Sequence, residues 1–194
     1  MKTAALLSGS NKTMTFETER LILRPWSGED AEDLYLYAKD PRVGPAAGWP
    51  VHTSVQNSRE IIESVLAVPE SYAVCLKTDG RAIGSIGLLF GEKGNVAAFE
   101  PGEAELGFWI GVPFWGQGLI PEAARRLMRY AFEDLRLQRL WCAYYDGNEK
   151  SRRTQEKCGF QYKYSIPEKS CPLLNETRTE HVNCITREQW VERL

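Results

Sequence analysis

Apolar positions recur at spacing two in some segments and at spacings of three and four in others, dividing the chain into alternating strands and helices. Leu21, Ile22 and Leu23 form a short strand ended by Pro25, and Ser27 with Asp30 has the form of a capping box. It opens a helix with Ala31, Leu34, Tyr35 and Ala38 on one face. The run Val43-Gly44-Pro45-Ala46-Ala47-Gly48-Trp49-Pro50 breaks that helix, and Thr53 with Gln56 restarts another carrying Ile61, Ile62, Val65 and Leu66. Ser71 to Lys77 and Arg81 to Phe90 flank Thr78-Asp79-Gly80, a hairpin signal. Gly91 to Gly102 has no periodicity and reads as a loop, and Ala104 to Ile110 as a strand with Glu105 at its start. The strongest helical pattern sets Ile120, Ala124, Leu127, Met128, Ala131 and Leu135 against Glu122, Arg125, Arg126, Arg129 and Glu133. Arg139 to Tyr145 is a further strand, Glu149 to Cys158 a short helix stopped by Gly159, and Phe160 to Ile166 another strand. One more strand is expected near His181 to Ile185, then a closing helix from Arg187. Alternation without internal repeats predicts one α/β (α+β) domain with a mixed sheet.

Composition narrows the function. The chain has 194 residues, room for one domain with a buried core. Its 24 Lys and Arg against 26 Asp and Glu give a net charge of −2, so it has no general polyanion-binding field. Nucleic acid is disfavoured as a bulk partner, and any anion must be held locally. Cys75, Cys142, Cys158, Cys171 and Cys184 are odd in number, widely spaced and without a C-x-x-C pair, which argues against a disulfide framework and a structural zinc site. The two histidines stand isolated and the carboxylates show no ligand spacing, so no metal is expected. No apolar run approaches the ~20 residues of a membrane helix. Met1 to Thr13 is too short and polar for a secretory signal, which makes a cytoplasmic protein with no membrane partner the expectation. Residues 1–14 read as a flexible tail, or Met14 as the natural start, and residues 15–194 as the domain.

The most informative stretch runs from Glu105 through Ile110-Gly111-Val112-Pro113-Phe114-Trp115-Gly116-Gln117-Gly118-Leu119-Ile120 into Pro121, the expected first helical residue. A strand, a glycine loop and a helix start in that order leave backbone N–H groups without helical partners, at the positive end of the macrodipole. This is an anion cradle, and glycine at 116 and 118 lets an anion reach the amides. Two nucleotide motifs fail here. Gly111 and Gly116 have Walker spacing, but Gln117-Gly118 stands where Lys-Ser/Thr is required. A dinucleotide fingerprint from Gly116 needs glycine or alanine where Pro121 stands. A lone G-x-G is also consistent with a tight turn.

Pro113-Phe114-Trp115-Gly116-Gln117-Gly118 resembles the Q/R-x-x-G-x-G/A loop of the GNAT superfamily of N-acetyltransferases, with Pro113 in place of the leading Gln or Arg. Asn148-Glu149-Lys150-Ser151 followed by Gly159-Phe160 resembles the family's second signature. Thr18-Glu19-Arg20-Leu21-Ile22-Leu23-Arg24-Pro25, Gly107-Phe108-Trp109 and Pro121-Glu122-Ala123 are similar to the branch containing the ribosomal-protein alanine N-acetyltransferases. The resemblance spans residues 16 to 165. It implies a mostly antiparallel sheet with helices on both faces and one splayed parallel pair, Ala104–Val112 and Arg139–Tyr145, holding acetyl-CoA in the gap.

The implied cofactor residues are Ile110, Gly111 and Val112, whose backbone would pair with the pantetheine arm, and Gly116, Gln117, Gly118, Leu119 and Ile120 around the pyrophosphate, with Asn148 and Ser151. Arg125, Arg126, Lys150, Arg152 and Arg153 are set between contact with the 3′-phosphate and ordinary charges on solvated helix faces, and none is counted among the site residues. The implied reaction is direct attack of a primary amine, of a protein N-terminus or a small molecule, on the thioester. Such an amine must lose a proton first. Glu105 is the candidate base, set against a surface carboxylate grouped with Glu100 and Glu103. The Ile110 N–H would hold the oxyanion. Gln155 occupies the position of the family's acidic tyrosine and cannot serve as an acid, so Ser151 is the candidate proton donor to the leaving thiolate, set against a helix-cap or cofactor contact. Asn148 is set against a local turn role. Cys142 with His181 or His52 would allow an acetyl-cysteine route, with a buried small hydrophobe as the simpler reading. Trp49, Trp109, Trp115 and Trp141 would line an acceptor pocket or belong to the core. The loops Val43–Val51 and Pro167–Arg178 would select the acceptor. The opposing functional class is a noncatalytic acyl-CoA sensor.

Overall fold

The computed structural model describes residues 14–91 and 100–193. Met14 apart, the tail expected at residues 1–14 lies outside the described residues, as does most of the loop expected at 91–102. Eight strands form one sheet: β1 (Phe16–Glu17), β2 (Leu21–Pro25), β3 (Ser71–Leu76), β4 (Ala82–Leu89), β5 (Glu103–Ile110), β6 (Arg139–Tyr145), β7 (Gln161–Cys171) and β8 (Glu176–Thr186). The spatial order is β1-β2-β3-β4-β5-β6-β8-β7. All neighbours are antiparallel except β5 and β6, which are parallel.

Helices cover both faces. The face bearing Leu21, Leu23, Val74, Ala104, Leu106 and Leu140 packs on the apolar stripe of α3 (Leu119–Arg129), where Ala123, Ala124, Leu127 and Met128 are fully buried. The other face, through Ile22, Ala73 and Cys75, packs on α1 (Ala31–Ala38) and α2 (Val55–Ile61). The Ser27–Asp30 capping box forms as expected and leads through a 3₁₀ turn into α1. The second helix is capped by Ser54, whose hydroxyl accepts from Asn57 N–H, one residue after the expected Thr53. α4 (Glu149–Cys158) ends where Gly159 adopts φ +95°, the left-handed C-cap expected of it. α5 (Arg187–Val191) closes the chain. No helix among the described residues is long and apolar enough to cross a membrane.

Two boundaries differ from the sequence pattern. α3 begins at Leu119, so Pro121 is its third residue and not its first. Any position in the first turn tolerates proline, because its N–H would have no helical acceptor there. The expected loop Pro167–Arg178 is mostly strand, with only a 3₁₀ turn at Pro172–Leu174. β7 is an edge strand, and it absorbs Pro167 in an irregularity between Ile166 and Lys169 where Glu168 takes φ +53°.

Candidate active site

β5 and β6 pair over only three rungs, Glu103 with Arg139, Ala104 with Leu140 and Glu105 with Trp141. Beyond them β5 stays with β4 up to Ile110, while β6 stays with β8 up to Tyr145. The sheet therefore opens from Leu106 onward. Gly111 N–H donates to Ile83 O at 2.9 Å, so the odd-numbered residues of β5 turn their backbone groups to β4, and Phe108 and Ile110 turn theirs to the opening. The Ile110 carbonyl accepts from the Trp115 indole N–H at 3.0 Å, and the Val112 carbonyl from Trp115 N–H at 3.2 Å. The N–H of Ile110 and both backbone groups of Phe108 are left facing the gap.

A cavity of about 2050 Å³ passes through this opening and is lined from both sides of the sheet. Phe108, Ile120, Ser151 and Lys157 line one side; Trp49, His52, Glu105 and Trp109 line the other. Gly116 and Gly118 stand at φ +76° and +74°, and Gly118 is the N-cap of α3 with no side chain capping the helix. The N–H groups of Gly116, Gln117, Gly118, Leu119 and Ile120 donate to no protein acceptor among the described residues. A β-carbon at Gly116 meets nothing within 4 Å, and one at Gly118 only Arg20 Nη2 at 3.8 Å. The left-handed backbone and the clear space in front of it are what an oxygen-rich anion needs to reach several amides together. Gln117 Nε2 donates to Pro113 O at 2.8 Å, which pins the loop.

The sequence alone does not reveal what anchors this cradle. Thr18 Oγ1 donates to Glu122 Oε1 at 2.6 Å, Arg20 N–H to the same oxygen at 2.9 Å and Arg20 Nε to Oε2 at 2.7 Å, while Arg20 Nη1 donates to Gln117 O at 3.1 Å. Two motifs a hundred residues apart thus meet at one helix start. Burial pushes the Glu122 carboxyl up, but the Thr18 and Arg20 bonds outweigh it and hold it below its ordinary value.

Glu105 is 4% exposed, occupies the last rung of the parallel ladder and lines the cavity. It is no surface carboxylate. Glu103, next but one, bonds Arg139 at 2.5 Å and the Trp141 indole at 2.8 Å. Ser151 lines the cavity, and its Oγ accepts from Gln155 Nε2 at 3.1 Å. Asn148 caps α4 through Ser151 N–H at 3.1 Å and donates to Ala46 O at 3.0 Å, so its amide ties the Pro45–Ala47 turn to α4.

Burial, reinforced by the negative charge of Glu105, raises the Cys142 thiol well above its ordinary pKa. Cys142 is 2% exposed and packs in the core, as a buried small hydrophobe does. His52 bonds the Ser58 hydroxyl at 2.8 Å, and burial lowers its pKa, leaving it neutral. His181 lies between the Ser165 hydroxyl and Asp146. Trp49, Trp109 and Trp115 line the cavity, whereas Trp141 does not, because its indole is turned onto Glu103. Of the five candidate cations, Arg126 lies over Phe16, Arg125 bonds Lys157 O, and Arg152 pairs with Glu149 and Glu156. Lys150 and Arg153 line the cavity.

Sequence reasoning passes over Glu180, which is 3% exposed, faces Tyr145 across β6 and β8, and lines the cavity. Its Oε2 lies 3.6 Å from Lys169 Nζ, an ion pair just beyond close hydrogen-bond distance. Burial raises its pKa, with Lys169 pulling the other way. Only the partner strand identifies it, since Glu180 reads as an ordinary loop-proximal glutamate.

Residues 20–161 match the family model described as acetyltransferase (GNAT) domain. The chain is 30% identical over 152 residues to the uncharacterized N-acetyltransferase p20 of Bacillus licheniformis, covering 76% of this chain and 82% of that one. It is 48% identical over 58 residues to the putative ribosomal N-acetyltransferase YdaF of Bacillus subtilis, covering 30% of this chain and 32% of that one. Among solved structures, a putative acetyltransferase from T. thermophilus superposes with a TM-score of 0.77 at 25% identity, covering 92% of each chain.

Proposed function

The chain belongs to the GNAT acetyltransferase family, and from that premise we propose that it moves acetyl from acetyl-CoA to a primary amine by direct attack. The observation carrying this reading is the opening of β5 from β6 after three rungs, leading straight into two left-handed glycines whose amides are uncommitted. The Phe108 carbonyl and the Ile110 N–H suit an amide-bearing pantetheine arm laid along β5. The amides of Gln117, Gly118, Leu119 and Ile120 suit its pyrophosphate, and Lys150 and Arg153 its 3′-phosphate. Gly111 and Val112 shape the turn between the two, and Asn148 orients α4 from behind.

The acceptor enters from the face of α1 and α2, where Glu105, Trp49 and Trp109 line the cavity. An α-amino group or a lysine-like amine is protonated at neutral pH, with pKa about 8 to 10, and attack requires the free base. Glu105 takes that proton. Phe108 lies three residues farther on, about 10 Å of strand, a reach covered by the carboxylate with intervening water. The Phe108 N–H faces the gap at that same point and suits the oxyanion, whereas the Ile110 N–H expected for it lies two residues nearer the diphosphate. Ser151 supplies the hydrogen bond to the departing sulfur. Two buried carboxylates, Glu105 and Glu180, favour a cationic acceptor over a neutral one. The name of the Bacillus subtilis relative, a putative ribosomal N-acetyltransferase, puts ribosomal components among the acceptors to be tried.

The test is thiol release from acetyl-CoA with a peptide carrying a free N-terminal alanine, with spermidine and with lysine. Release by at least one amine, with mass spectrometry locating the acetyl group on its nitrogen, is expected. Acetyl recovered on oxygen, or release indifferent to every amine, would overturn the reading.

A further inference from the structure

Gln155 stands at the position of the family's acidic tyrosine and cannot be an acid, yet it is 1% exposed and its amide is completely engaged. Nε2 donates to Ala143 O at 3.0 Å and to Ser151 Oγ at 3.1 Å, and Oε1 accepts from Asn183 Nδ2 at 2.8 Å. The orientation is fixed by chemistry. A flipped amide would set its oxygen against the Ala143 carbonyl, acceptor against acceptor, and its NH₂ against the NH₂ of Asn183. With both Nε2 hydrogens assigned, Ser151 Oγ is the acceptor in its bond to Gln155, and its own hydrogen points elsewhere.

Helical hydroxyls commonly turn that hydrogen back onto the preceding turn. Thr154 does so on the same helix, donating to Lys150 O at 2.9 Å, and Ser64 donates to Glu60 O at 2.6 Å. Ser151 makes no such bond among the described residues, and it lines the cavity.

We propose that Gln155, held by Asn183 and Ala143, is a positioning residue that keeps Ser151 as a hydrogen-bond donor into the cleft, toward the coenzyme sulfur; this rests on the acetyl-transfer reading above. The bonds run one way, from the Asn183 N–H to Gln155 Oε1, from Gln155 N–H to Ser151 Oγ, and from Ser151 O–H outward. A hydroxyl whose oxygen already accepts a bond is a stronger donor. When the C–S bond of the tetrahedral adduct breaks, its electron pair stays on sulfur and meets the Ser151 hydrogen. Ser151 passes its proton to sulfur only as it receives one from cleft water, and that water is made good by the proton the attacking nitrogen releases, so neither alkoxide nor hydroxide remains and the nitrogen's proton is the one gained overall by the thiol.

The test needs no acceptor. The ultraviolet absorbance of the CoA thiolate, bound to the full-length protein, is titrated against pH for wild type, Gln155→Met and Gln155→Glu. Met fills the site without an N–H. Glu keeps the acceptor for Asn183, and as a carboxylate it draws the Ser151 hydrogen back to itself. Both variants are expected to hold about three- to tenfold less thiolate at a given pH than wild type. Desulfo-CoA, lacking the sulfur, is expected to bind all three equally, which a merely structural role for Gln155 would not give. Adding Gln155→Met to Ser151→Ala is expected to leave the titration where Ser151→Ala alone has it.

A wild-type titration in either folded Gln155 variant overturns the proposal. If Ser151→Ala moves the titration and neither Gln155 variant does, only the positioning role falls. If Ser151→Ala also leaves it unmoved, the donor role of Ser151 in the proposed reaction falls with it.

Discussion

Replacing Gly118 by leucine separates the cradle's ligand function from its structural one. In the protein alone the cost is conformational, since a β-carbon there meets only Arg20 Nη2 at 3.8 Å. Holding a non-glycine residue at φ +74° costs about 1–2 kcal/mol, which lowers the melting temperature of a chain this long by about 2–8 °C. Toward a diphosphate the cost is larger. Hydrogen bonds to a charged group contribute about 1.5–3 kcal/mol each, so pushing the diphosphate off two amides removes at least about 3 kcal/mol, roughly a hundredfold or more in affinity. Calorimetric titration with CoA, beside a thermal melt, reads both quantities. Acetyl-pantetheine, which has no diphosphate, is expected to bind wild type and variant alike. Gly84→Leu is the structural contrast, because its β-carbon would lie 2.4 Å from Trp109 O and 2.9 Å from Ile110 Cα, so the loss there is of the fold. A folded Gly118→Leu protein with undiminished CoA affinity refutes the cradle.

Glu105→Gln is expected to leave CoA affinity unchanged and to slow amine acetylation about a hundredfold, most severely below neutral pH where the acceptor is protonated; an unaltered rate across pH removes Glu105 as base. Cys142→Ala is expected to retain acetyl transfer, and mass spectrometry of the wild type mixed with acetyl-CoA to find no acetyl-cysteine at that position, because its thiol is buried and its pKa raised. Glu122→Gln is expected to destabilise the protein by about 1–2 kcal/mol at pH 7. The native carboxyl's pKa is lowered in the fold, so its stabilisation is present above its ordinary value of 4.5 and is lost as pH falls through the folded pKa; melts of variant and wild type should converge there. Glu180 has the opposite sign. Its pKa is raised by burial, so ionisation opposes folding, and Glu180→Gln is expected to melt above wild type at pH 7, with the difference vanishing as pH falls below 4.5.

Local chemistry is legible in the sequence wherever a residue's backbone requirement settles it. α4 can be read to the residue because Gly159 must stop it, and the Ser27–Asp30 box because its two bonds lie within four residues. The start of α3 lies two residues before the expected one, since proline marks a first turn without specifying its place in that turn. The β7–β8 hairpin is longer than its sequence suggests because Pro167 and Glu168 look like a break, and only an edge position makes them tolerable in a strand. At the site, Gly116 and Gly118 are readable by the same backbone logic. The role of Gln155 is not, because it depends on Ala143 and Asn183, twelve and 28 residues away in sequence. The clamp on Glu122 is equally nonlocal, reaching back 102 to 104 residues to Arg20 and Thr18.

The strands that flank the opening are each paired on the far side, and that pairing bears on affinity. β5 is held by β4 on its far edge to Ile110, and β6 by β8 on its far edge to Tyr145, so each wall is held from outside. Both backbone groups of Phe108 and the N–H of Ile110 therefore face the gap in strand geometry. A ligand whose amides complete those bonds is expected to meet strand geometry already formed, so that more of each bond's free energy appears as affinity. The same arrangement explains Trp115. By accepting its indole N–H, the Ile110 carbonyl is removed from the ladder just where β5 turns into the cradle. In the proposed reading an added strand would end there, and a diphosphate following it along the chain direction would meet the amides of Gly116 to Ile120, which have no protein acceptor among the described residues.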